Sequence, residues 1–144
     1  MQTDGQQSAF WLAALLGLFC LRVAAQLVQA AFDLPFLPPF EAWHSGVLPY
    51  SLLLGCQLAL IAGMLWLLRR IRRDELGMRK GWALAWLAGG GLYFSLMAFR
   101  LIAGLTFLSD AAWFAAWLPS LFHLVLASFI LVAGRYFLRR SDGR

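Results

Sequence analysis

A handful of polar side chains interrupt an otherwise apolar sequence, and they define the chemistry open to this chain. Arg22, Gln26 and Gln29 recur at i, i+4 and i+7, which is one face of a helix, and Asp33 continues the same stripe. Gln57 breaks a second apolar run, Arg100 a third, and Ser120 and His123 a fourth. Arginine offers only donors, and two of them with glutamine and histidine suit an anionic or carbonyl-bearing amphiphile, such as a lipid phosphate or a quinone. The residues expected to form a ligand site are therefore Arg22, Gln26, Gln29, Gln57, Arg100 and His123. A sharper alternative is a b-type haem held by His44 and His123, with an arginine near the propionates. Zinc is a weaker fit, because two histidines without a set of cysteines or carboxylates cannot supply four ligands. Ser51 and Ser120 have no His–Asp pair placed to activate them, and paired carboxylates are absent from the apolar runs. The chain reads as a binding or structural protein rather than an enzyme.

The elements that must position these residues follow from composition. The chain has 144 residues, 62% hydrophobic and only 13% charged, against about a quarter charged in a soluble domain. One small core cannot hide that much apolar surface from water, so the bilayer must act as solvent for it. A membrane-spanning helix needs roughly 20 apolar residues, and the segments 9–32, 47–68, 82–108 and 117–138 qualify. The expected fold is all-α: an integral membrane four-helix bundle in one domain, 1–144.

The net charge of +5 is distributed as a topology signal. Arg69, Arg70, Arg72, Arg73, Arg79 and Lys80 fall in the connection 69–81, and Arg135, Arg139, Arg140 and Arg144 close the chain. The connections 33–46 and 109–116 carry Asp33, Glu41 and Asp110 but no basic residue. This positive-inside pattern predicts cytoplasmic N- and C-termini in a bacterial-type inner membrane. The basic cluster would then meet lipid headgroups rather than nucleic acid. The leader Met1–Ser8 lacks the basic residues of a signal peptide, so the first span is expected to be retained. Cys20 and Cys56 form no CxxC pair and read as apolar packing residues. Trp43, Tyr50, Trp113 and Trp117 are expected at the outer interface, and Trp11, Trp66, Trp82 and Tyr136 at the inner one.

The halves resemble each other. Leu48-Pro49 opens the second span and Leu118-Pro119 the fourth; Leu68-Arg69-Arg70 and Leu138-Arg139-Arg140 close them at matching distances. Two tandem helical hairpins related by a pseudo-two-fold axis along the membrane normal would make Arg22 and Arg100 symmetry mates. Gly55, Ala59 and Gly63, and likewise Ala85 and Gly89, place small residues at four-residue intervals, where helices could pack closely. The outer segment from Pro38 to Tyr50 is expected to form a defined cap.

Counted inward at about 1.5 Å per residue, Arg22, Gln57, Arg100 and His123 lie roughly 9–15 Å below the outer surface. An arginine at such depth costs about 2.5–3.5 kcal/mol on insertion scales and usually faces a bundle interior or a wet cavity. No carboxylate shares their level. Three readings follow: a packed structural network, a ligand site, or arginines that snorkel to the headgroups. The functional expectation is a membrane subunit or a binder of an anionic or quinone-like amphiphile in an outward-facing polar pocket, with a haem redox protein and a small anion carrier as alternatives. Partners expected are the lipid bilayer and a second copy or larger membrane complex.

Overall fold

A computed structural model describes residues 4–43, 49–109 and 112–142. Helix α1 runs Asp4–Phe32, α2 Tyr50–Arg72, α3 Lys80–Leu105, and α5 Trp117–Asp142, with a single turn α4 over Ala112–Ala115. The chain is an all-α protein of four long apolar helices packed as a bundle, each long enough to span a membrane. Long runs of leucine, alanine and phenylalanine satisfy every interior backbone group within the helix itself, which hydrocarbon requires.

The ends of the helices depart from the hydropathy boundaries for local reasons. Helix α2 continues past Leu68 to Arg72 because Arg69, Arg70 and Arg72 occupy its last turn, where cations meet the negative end of the helix dipole. Helix α5 likewise carries Arg139 and Arg140 in its last turn and reaches Asp142. The connection from α2 to α3 is therefore shorter than the basic stretch suggests. Helix α1 stops where Asp33 takes a left-handed conformation, φ 44°, one that Asn and Asp tolerate better than most side chains. The Gln29 amide seals that end, donating to Asp33 Oδ1 at 3.0 Å and accepting from the Leu34 N–H at 3.0 Å. Beyond it, a one-turn 3-10 helix covers Phe40–Trp43. Pro119 sits in the first turn of α5, where a missing N–H costs nothing.

Backbone packing is closest for α3 against α5, followed by α1 against α5 and α1 against α2. The core gathers Leu12, Leu16 and Phe19 of α1, Met64, Leu67 and Ile71 of α2, Ala83 of α3, and Phe129, Ala133 and Phe137 of α5. At the basic end, Tyr136 donates to Asp74 at 3.1 Å, and Arg140 pairs with the Asp74 carboxylate while donating to its carbonyl oxygen at 2.8 Å. That latch ties the α2–α3 connection to the end of α5.

The small residues singled out in the sequence do not mediate these contacts. Gly55, Ala59, Gly63, Ala85 and Gly89 are all exposed on the bundle surface, and a Cβ at Gly55, Gly63 or Gly89 would meet nothing within 4 Å. Close approach occurs instead at Gly90, where a Cβ would lie 2.9 Å from Ile130, and at Gly134, 3.1 Å from Leu87. Spacing defines a face, but only packing decides which way it looks. Two supposed interface anchors are also inside: Trp43 is 5% exposed and Tyr136 7%. Cys56 is exposed, whereas Cys20 packs beside the core.

Candidate functional site

Arg22 and Gln26 stand one turn apart on the inner face of α1, and Gln57 faces them from α2. All three are at least nine-tenths buried, at 6%, 0% and 4% exposure. Gln57 Nε2 donates to Gln26 Oε1 at 3.1 Å, an amide–amide bond that joins the two helices. Because each amide has a donor end and an acceptor end, one such bond leaves one donor and one acceptor over. Gln26 Nε2 and Gln57 Oε1 are indeed buried without a partner. Exchanging the O and N positions of both amides leaves the same remainder.

Arg22 reaches along the helix toward the 33–49 connection, where Nη2 donates to the Trp43 carbonyl at 2.7 Å. Its guanidinium carbon lies 5.5 Å from the centre of the Phe122 ring on α5. Its Nε is buried and unpaired. The Tyr50 hydroxyl, at the start of α2, is also buried without a partner and lies within electrostatic reach of Arg22. One side of the bundle thus holds three unpaired donor groups and one unpaired carbonyl acceptor. In an apolar interior each such atom costs about 1–3 kcal/mol, so the group is unusual among buried polar side chains.

Arg100 forms a second centre between α3 and α5. It is 4% exposed, and both Nε and Nη2 donate to the Trp113 carbonyl, at 3.2 and 2.7 Å. The guanidinium carbon sits 4.0 Å from the centre of the Trp113 ring, close enough for a cation–π contact. His123 Nδ1 and the Tyr93 hydroxyl are 2.6 Å apart, and His123 lies within electrostatic reach of both Arg100 and Arg22. Ser120 is bonded to the Ala116 carbonyl at 3.0 Å.

The expected residues therefore divide. Arg22, Gln26 and Gln57 come together; Arg100 and His123 form a neighbouring set; Gln29 is taken up by the end of α1. Both arginines reach the connections between helices, where their guanidinium groups end on protein carbonyls while remaining buried. His44, one of the two haem ligand candidates, lies outside the described residues, as does Asp110. Among the described residues no group of three or more His, Cys, Asp or Glu is placed to hold a metal ion.

Four participants escaped the sequence reading: Tyr50 and Tyr93, and above all the two tryptophan carbonyls. The tryptophans had a signal. Trp43 precedes Pro49 and Trp113 precedes Pro119 in one pattern, W-x4-L-P, which continues through x18 to L-R-R in both halves. Around the arginines, Leu18-x3-Arg22-x2-Ala25-x-Leu27 repeats as Leu96-x3-Arg100-x2-Ala103-x-Leu105. Each half therefore pairs one buried arginine with the carbonyl of the tryptophan that opens the pattern. A cavity of about 610 Å³, lined by Gln29, Asp33, Pro39, Phe40, Glu41 and Tyr50, adjoins the first centre. Compared with known proteins, the chain matches no family model, no curated protein and no solved structure.

Proposed function

We propose that this four-span membrane protein is a non-catalytic binder that holds the head of an anionic or quinone-like amphiphile against Arg22, Gln26, Gln57 and Tyr50. The observation that carries the reading is the set of unpaired buried atoms: Arg22 Nε, Gln26 Nε2, Gln57 Oε1 and Tyr50 OH. Donors outnumber acceptors, which matches an oxygen-rich head group. A finished structural scaffold has little reason to bury so many unpaired polar atoms in one place. An open hollow lined by Gln29 and Tyr50 lies beside this set, at the end of the bundle that bears the 33–49 connection. By the distribution of basic residues that end faces away from the cytoplasm, so the ligand would come from the outer leaflet of a bacterial inner membrane.

Arg100 and His123 stand apart from the ligand in this reading, since Arg100 Nε and Nη2 are taken by the Trp113 carbonyl and His123 Nδ1 by the Tyr93 hydroxyl. Haem is the alternative reading: the Tyr93 hydroxyl meets His123 at Nδ1, which leaves Nε2 as the atom that would ligate iron, and an absorption spectrum separates the two.

Organic extraction and mass spectrometry of the detergent-purified chain, with an absorption spectrum of the same sample, test this. One amphiphile per chain should accompany the wild type and be lost in Arg22→Gln. An amphiphile retained equally by the variant, or none in either, would sink the reading. A Soret band lost in His123→Ala would replace it with a haem protein.

A further inference from the structure

The second half of the chain indicates what the first half is built to hold. The two arginines are equivalent in sequence context, yet their guanidinium groups are finished differently. Arg100 receives one oxygen on two of its nitrogens and an aromatic plane at 4.0 Å, both from Trp113. Arg22 receives the Trp43 oxygen on Nη2 alone, its Nε has no partner, and the Phe122 ring stands further off at 5.5 Å. Trp43 turns its ring away, donating from Nε1 to the Pro38 carbonyl at 3.0 Å.

The reason lies one turn further along each helix. Gln26 occupies the position that Gly104 holds in the second half, and Gln57 the position that Ala127 holds. Gly104 has no side chain, and a Cβ there would run into the backbone carbonyl of Phe114. The glycine lets the Phe114 and Trp113 backbone settle onto α3, bringing oxygen and ring onto Arg100. In the first half Gln26 stands at the equivalent position and is bonded across to Gln57. The first half therefore has the amide pair and an open Arg22 Nε, where the second has a closed arginine and an apolar pair.

Resting on the function proposed above, we infer that the Arg22 site takes a neutral, carbonyl-bearing planar ring of the quinone type, one per chain, and that Arg100 takes none. An exogenous ring carbonyl at Arg22 would supply the oxygen on Nε that Trp113 supplies to Arg100, with a ring plane nearer than Phe122. The approach also selects against phosphate: the adjoining cavity carries Asp33 and Glu41, whose charge opposes an anion but not a neutral carbonyl. The second carbonyl of such a ring has the Gln26 amide N–H and the Tyr50 hydroxyl as available donors. Binding alone is inferred; no electron transfer is part of it.

The test titrates ligand-stripped, full-length protein in detergent with a short-chain benzoquinone analogue and, separately, a short-chain phosphatidic acid, following tryptophan quenching and calorimetry. The quinone analogue should bind one per chain, weaken about tenfold or more in Arg22→Gln, equivalent to about 1.4 kcal/mol, and keep within about threefold of wild type in Arg100→Gln. Should Arg22→Gln fail to fold by circular dichroism, Gln57→Met carries the same expectation. Saturable phosphatidic acid without quinone would overturn this inference and leave the amphiphile site standing. No saturable binding of either would end both. Equal loss of quinone in Arg22→Gln and Arg100→Gln would refute the asymmetry.

Discussion

Replacing Gly104 with alanine puts the closest contact between α3 and the 106–116 connection under direct strain. The added methyl meets the Phe114 carbonyl, which is backbone and cannot rotate aside as a side chain can. Alanine is favoured over glycine in a helix by about 1 kcal/mol. Against that gain, overpacking costs about 1–3 kcal/mol. Moving Phe114 also moves Trp113, whose carbonyl accepts both bonds from Arg100. Hydrogen bonds to a charged group contribute about 1.5–3 kcal/mol, and those would be weakened together. The balance is a loss of about 2–4 kcal/mol. Reversible unfolding in mixed micelles of increasing dodecyl sulfate content, read by far-ultraviolet circular dichroism, would measure it. Gly134→Ala is the comparison: its Cβ would lie 3.2 Å from the Leu87 backbone nitrogen, and a loss of about 1–2 kcal/mol is expected. A Gly104→Ala protein as stable as wild type, within about 0.5 kcal/mol, would refute the tight seating of the loop and with it the account of why Arg100 is closed.

Two further outcomes follow from the same contacts. Gly55→Ala and Gly63→Ala should leave stability unchanged within about 0.5 kcal/mol or raise it slightly, because no atom lies within 4 Å of either Cβ; a loss above about 1 kcal/mol in the same micelle assay would mean that this face is covered, as by a second copy. Gln26→Leu alone strands the Gln57 amide and should cost about 1–3 kcal/mol, whereas Gln26→Leu with Gln57→Leu should recover most of it; strictly additive losses in that double-mutant cycle would show that the amide bond does not couple α1 to α2.

The sequence by itself determined the class of this protein. Runs of apolar residues longer than a bilayer is thick admit helices and little else, because hydrocarbon offers no partner to an exposed peptide group. The same logic exposed the polar residues: in a span, Arg22, Gln26, Gln57, Arg100 and His123 stand out against a background of leucine and alanine. The repeat of arginine, proline and basic terminus was legible for the same reason, since each is rare or directional in such a context. Direction was not legible. Four-residue spacing placed Gly55, Ala59 and Gly63 on one face, and nothing in that spacing says whether the face meets a helix or a lipid tail. Hydrocarbon and a neighbouring helix are equally apolar, so hydropathy cannot tell them apart.

Tertiary structure alone decided how the polar residues finish. Two arginines in matching contexts reach two tryptophan carbonyls that belong to loops of different length, and main-chain acceptors leave no trace in side-chain chemistry. Arg22 keeps an unpaired Nε while Arg100 does not, and one turn away stands a glutamine bonded to Gln57 in the first case and a glycine that admits the Phe114 carbonyl in the second. That difference arises from volume and hydrogen-bond geometry across helices, which appear only once the chain has packed.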